Sequence, residues 1–205
     1  MSQNPAIATI SAASEHPTSI GSSTGDPEWE GFTEDKLAFH RDIMEYHNLL
    51  LLELENGDWA KTIARQFFFD AFHYLFLEQL AKSKDAQLSA IAMKSIKEVK
   101  YHLRFSSQWM LRLGDGTELS HDKMQAALNG LWEFTGELFE MTEADKVLIA
   151  EGMVPNLDDI KQIWTAEVEA TIAKSTLTVP DTMGFMASGS RKGVHSEYLG
   201  YLLAE

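Results

Sequence analysis

Residues 59–82 read WAKTIARQFFFDAFHYLFLEQLAK, and this stretch decides the fold class. Ile63, Phe67, Tyr74 and Leu77 follow the three- and four-residue spacing of one buried helical stripe, with Asp70 filling its middle place. Asp58 is a good N-cap, and Asn56-Gly57 breaks the chain just before it. The spacing therefore predicts a helix from Trp59 to about Lys82. Phe67-Phe68-Phe69, with Phe72, Tyr74 and Phe76, spreads aromatic rings over more of this helix than one core requires. Such all-round hydrophobicity predicts a second packed face, against another element or subunit.

Helical patterning continues on both sides. Glu34–Asn48 reads as a helix leading into the apolar run Leu49–Leu52. Asp85 caps a long helix through Leu88, Ala92, Val99, Ser106, Met110 and Leu113, which Gly114 ends. Ser120 is the expected cap of a fourth helix to about Glu140, followed by Glu143–Glu151 and Leu157–Lys174. Thr176–Pro180 reads as extended, Met183–Gly193 as a loop, and Val194 onward as a last helix. With no sustained alternating pattern, the expected class is all-α, an up-and-down bundle of long antiparallel helices.

The chain has 205 residues, so one domain with an appendage is expected. Its 31 acidic against 17 basic residues give a net charge of −14, which argues against binding nucleic acid or an anionic membrane surface. No apolar run reaches the ~20 residues of a membrane span. Cysteine is absent, which removes disulfides and thiolate chemistry and fits a cytoplasmic protein. Residues 1–28 are of low complexity and read as a disordered tail, leaving 29–205 as the bundle domain.

Polar residues interrupt the expected core. Asp70 and His73 stand at i, i+3 on the first long helix, and Glu98 and His102 at i, i+4 on the second. Both pairs are expected to face one interior. A carboxylate-bridged di-iron centre in a four-helix bundle uses a Glu from each of two helices and Glu-x-x-His from the other two. Against that template this is half a site: Asp70/His73 keeps the spacing with a shorter acid, and Val99 occupies the place three residues before His102. Glu133 and Glu137 offer carboxylates without a histidine. Three readings remain: a degenerate, inert polar cluster satisfied by neighbours such as Arg65 or Lys94, an occupied di-iron site, or another metal. Arg191-Lys192-Gly193 with His195 reads either as a phosphate contact or as a solvated loop.

A scattered set of segments then carries a resemblance. They are Leu37-Ala38-Phe39, Asn48–Leu51, Asn56-Gly57 with Thr62–Gln66, Asp70–His73, Ile96–Glu98 with Tyr101–Ser106, Arg112–Gly114 and His195–Glu205. From about Asp35 onward the chain resembles the structural, non-catalytic (C-type) subunits of bacterial phenylacetyl-CoA epoxidases. The resemblance implies a ferritin-like bundle with a decayed metal site and no cofactor of its own. Its partners would be a homologous catalytic di-iron subunit and the other subunits of a complex that epoxidises phenylacetyl-CoA. It also implies substrate contacts at Glu45, Tyr46, His47 and Asn48 and at Lys146, Val147 and Leu148. Two departures stand out: the family's N-terminal helical segment gives way here to the low-complexity tail, and its C-terminal helix runs past the position of Glu205. The rival functions are a catalytically active ferritin-like di-iron oxygenase and a CoA-binding module acting alone.

Overall fold

The computed structural model describes residues 42–181 and 184–204. The low-complexity tail, the expected helix up to residue 41, and Met183 lie outside them. Among the described residues there are seven α-helices and no strand: α1 (Leu50–Glu53), α2 (Trp59–Leu80), α3 (Ala86–Gly114), α4 (Glu118–Leu131), α5 (Glu143–Glu151), α6 (Leu157–Lys174) and α7 (Leu199–Ala204). None of the described helices is long and apolar enough to cross a membrane.

Side-chain caps fix most starts. Asp58 accepts from the Lys61 amide and Asp85 from those of Gln87 and Leu88, as the sequence indicates. On α4 the cap is Thr117 rather than Ser120: each hydroxyl accepts from the other residue's amide, a two-way box that moves the start forward.

Three expected helices are shorter, each for a visible reason. Residues 42–48 hold only a 3-10 turn, Ile43–Glu45, before extended backbone, because the Tyr46 carbonyl is taken by the His195 side chain. The helix expected to reach Glu140 stops at Leu131 and continues as 3-10 turns at Trp132–Phe134 and Gly136–Phe139. There the Thr135 hydroxyl donates to the Trp132 carbonyl at 2.7 Å, competing with the helical ladder. The last helix starts at Leu199 instead of Val194, since the Ser196 amide donates to the Glu53 carboxylate.

Helix α2 occupies the middle, packed on α3, α4 and α6. It runs antiparallel to α3, with Trp59 edge-on to Trp109 at 5.4 Å and Ser106 bonded to Asp70. Phe68 meets the rings of Trp132 and Trp164, and Trp164 Nε1 donates to the Phe68 carbonyl at 3.1 Å. Phe67, Phe68 and Phe69 are all buried, so the second packed face expected of this helix is filled from within the chain.

The far ends of α3 and α6 touch backbone to backbone. A Cβ built on Gly114 would stand 2.1 Å from the Ser175 carbonyl oxygen. Thr176 next to it sits at φ 60°, a strained place for a β-branched residue, with its hydroxyl donating to the Gly114 carbonyl at 3.0 Å. Gly130, by contrast, has nothing within 4 Å and lies inside α4. Gly114→Ala should therefore lower stability by about 1–3 kcal/mol through overpacking. Gly130→Ala should raise it by up to about 1 kcal/mol through helix propensity. Thermal unfolding of the two variants checks this; shifts of the same sign would refute it.

Candidate functional site

The polar pair on α2 lies where the sequence places it, deep in the bundle. Asp70 is 1% and His73 4% exposed. Asp70 Oδ1 accepts from Gln66 Nε2 at 2.5 Å, and Oδ2 from Ser106 Oγ at 2.8 Å. Both donors are neutral. The cationic partners expected for it are elsewhere: Arg65 binds the Leu54 carbonyl and the Asn56 side chain. Burial raises the Asp70 carboxyl to about 7 against the pull of those two hydrogen bonds. Burial, with the charge of His102 nearby, lowers His73 to about 4. His73 Nε2 is enclosed without a hydrogen-bond partner among the described residues.

The pair on α3 departs from expectation. Glu98 points into solvent with a side chain 69% exposed, and His102 sits at the rim with Nε2 4.0 Å from the Glu98 carboxylate. Residue 98 precedes the buried Val99 and so falls off the inward stripe of α3. Glu137 is fully buried but committed: its carboxylate accepts from the amides of Leu50 and Ser190, each at 2.9 Å. Among the described residues no three His, Asp or Glu side chains gather as a ligand set. A di-iron centre needs bridging carboxylates with free oxygens. Asp70 has both of its oxygens occupied by neutral donors, so the residues present do not fit that group.

A second polar cluster, unforeseen in the sequence, ties two distant segments together. Glu53, fully buried, accepts from Asn48 Nδ2 at 2.7 Å, His195 Nδ1 at 2.6 Å and the Ser196 amide at 2.6 Å. His195 Nε2 donates to the Tyr46 carbonyl at 2.8 Å; a carbonyl only accepts, so this nitrogen carries a proton. Asp145 closes the capping box of α5 by accepting from the Thr142 amide, and also meets Arg191 Nη1 at 3.3 Å. His47 Nδ1 lies 3.1 Å from the Arg191 carbonyl. Glu53, Glu137 and Asp145 thus hold residues 190–196 between the segment at 45–48 and the start of α5.

Arg191 links the neighbourhoods of the two groups of expected substrate contacts: its carbonyl meets His47, and its guanidinium meets Asp145, the residue before Lys146. Their side chains divide. Glu45, Lys146 and Val147 are exposed, and Tyr46 and His47 are half-buried. Asn48 turns inward to Glu53, and Leu148 is buried. Arg191 and His195 prove to be anchored residues of the cluster rather than parts of a solvated loop. The sequence did carry a signal for the anchors: Glu53 is an isolated acid within LLLLEL, and Glu137 stands against Leu138-Phe139. A charge set in an apolar run needs a partner when it is buried.

A family model described as phenylacetic acid catabolic protein matches residues 22–205. The chain belongs to this family. The C-type subunit of 1,2-phenylacetyl-CoA epoxidase from Escherichia coli (strain K12) is 49% identical to it over 172 residues, covering 84% of this chain and 69% of that protein. The resemblance drawn from the scattered segments is met, and this phenylacetic acid catabolic family member is an all-α, ferritin-like helical bundle.

The two clusters of this family member make separate demands on its stability. Asp70 has a folded pKa above its unfolded value, so its contribution to stability falls as pH rises from about 4 to 7. His73 has a folded pKa below its unfolded 6.5, so its contribution grows as pH rises from about 4 to 6.5. The two slopes oppose each other in the native protein. Asp70→Asn should leave stability climbing with pH across that window, and His73→Gln should leave it declining. Chemical denaturation at several pH values reads the slopes; parallel curves for both variants would refute the pairing. Glu53→Ala strands three donors and should cost on the order of 3 kcal/mol. It should also speed tryptic cleavage at Arg191-Lys192, and unchanged cleavage would count against the anchoring role.

Proposed function

We propose that this chain is the structural, non-catalytic subunit of a multicomponent di-iron monooxygenase that epoxidises phenylacetyl-CoA in aerobic phenylacetate catabolism. The observation that carries the reading is the state of Asp70. In the degenerate half-site its oxygens are satisfied by Gln66 and Ser106, and Glu98 faces solvent. The similarity to a subunit of the Escherichia coli epoxidase supports the assignment to that complex. The iron and the oxygen chemistry belong, on this reading, to a homologous catalytic partner. The chain contributes a rigid flank to that partner.

It also contributes part of the CoA site. His47 meets the Arg191 carbonyl, and the exposed Lys146 and Val147 follow Asp145, which holds the Arg191 guanidinium; on this reading they offer cationic and apolar contacts to an anionic thioester. Among the described residues Lys146 pairs with Glu143 at an exposed site, a contact weak enough to open for a phosphate.

The test is reconstitution. Purified after growth with iron, the chain alone should carry far less than one iron per chain and should not turn over phenylacetyl-CoA. Combined with the catalytic and reductase subunits it should support epoxide formation. In that assembly Lys146→Ala should raise the KM for phenylacetyl-CoA about tenfold, the loss of one charge-assisted hydrogen bond, with little change in kcat. About two irons per chain, with turnover lost in Asp70→Ala or His102→Ala, would overturn the proposal in favour of a catalytic oxygenase.

A further inference from the structure

The chain contains two Asn-Gly pairs, Asn56-Gly57 ahead of α2 and Asn129-Gly130 inside α4, and all four residues are exposed. An asparagine followed by glycine can cyclise: the glycine amide nitrogen attacks the asparagine side-chain carbon, a closure that a bulkier following residue hinders. The two pairs share that chemistry and differ in how the fold holds them.

At residues 129–130 the helix closes the route. Gly130 lies within α4, so its amide is engaged in the helical ladder, and the Asn129 side-chain oxygen accepts from Gln125 Nε2 at 3.0 Å. At residues 56–57 the opposite holds. Gly57 lies outside any helix and its amide donates no hydrogen bond among the described residues, so the nucleophile is unengaged. Thr62 Oγ1 donates to the Asn56 carbonyl at 2.9 Å, drawing charge from the peptide unit whose nitrogen must lose a proton. Arg65 Nη2 donates to Asn56 Oδ1, the oxygen on which negative charge builds when the side-chain carbon is attacked. Glycine is also the residue this turn favours: Gly57 has φ 60°, and a Cβ there would stand 2.6 Å from Lys61 Cδ.

We propose that Asn56 is a site of spontaneous deamidation in the folded chain, and that Arg65 holds the acidic product. The Gly57 nitrogen gives up its proton and bonds to Asn56 Cγ. The Cγ–Nδ2 bond breaks, and Nδ2 leaves as ammonia with a proton from solvent. Water then opens the cyclic imide to aspartate or isoaspartate, so no oxidant or reductant takes part. In the aspartate form the contact between Arg65 and a neutral amide becomes an ion pair, just ahead of the N-terminus of α2, where negative charge is favoured. The reaction is independent of the proposed function.

The experiment ages the full folded chain at mildly alkaline pH, digests it under acidic conditions that stop the reaction, and maps the peptides by mass spectrometry. The peptide carrying residue 56 should gain the mass of an amide exchanged for an acid, as a mixture of aspartate and isoaspartate. It should do so at least about tenfold faster than the peptide carrying residue 129, whose helix must open first. In the urea-unfolded chain the two pairs should convert at comparable rates. Asn56→Asp should unfold at the same urea concentration as the unmodified chain. Conversion at 56 no faster than at 129, or a tenfold difference that persists in urea, overturns the site. A lower unfolding midpoint for Asn56→Asp overturns the role given to Arg65.

Discussion

A helix that buries residues over most of its girth is stable only where other elements surround it, and α2 imposes that demand on the whole chain. Phe67, Phe68 and Phe69 are all buried where α2 packs on α3, α4 and α6, and Phe68 reaches Trp164 of α6. Trp164 joins packing to hydrogen bonding, because its indole nitrogen reaches the backbone of α2 while its ring lies against Phe68 and Phe139. The backbone contact between Gly114 and Ser175 then lets the ends of α3 and α6 close over the bundle.

Placing Asp70 and His73 inside this helix sets an electrostatic problem, which is solved by neutrality rather than by pairing. Burial drives the acid upward and the base downward, so both are uncharged over a common range of pH. Serine and glutamine complete the acid's hydrogen bonds without adding charge. A buried ion pair would have needed excellent geometry to offset its desolvation. The cluster at Glu53 takes the other course, concentrating three donors on one fully enclosed carboxylate.

The long helices were legible because local signals agree there: caps at Asp58 and Asp85, and apolar stripes at helical spacing. So was the depth of Asp70 and His73, which follows from their place on such a stripe. What escaped reading depends on contacts between residues far apart in the chain. No local feature of residues 42–48 reveals that His195 takes the Tyr46 carbonyl, and none near Val194 reveals that Glu53 takes the Ser196 amide. Glu98 was misjudged by one helical position, since Val99 rather than its neighbour faces inward. The breaks after Leu131 arise from a threonine hydroxyl and from tryptophan packing, which outweigh a sound helical pattern.

The bond from Glu53 to His195 spans 142 residues of chain, and the bonds made by Glu137 span 87 and 53. The core around α2 relies mainly on helices that follow one another closely, so it can condense while the chain is still being made. The surface at 45–48 has no such freedom. It stays open until residue 195 has been synthesised, and its order is then fixed by closing one very long loop. A nascent or shortened chain would therefore own a folded bundle without the surface proposed for substrate, which makes that surface a built-in mark of a finished chain.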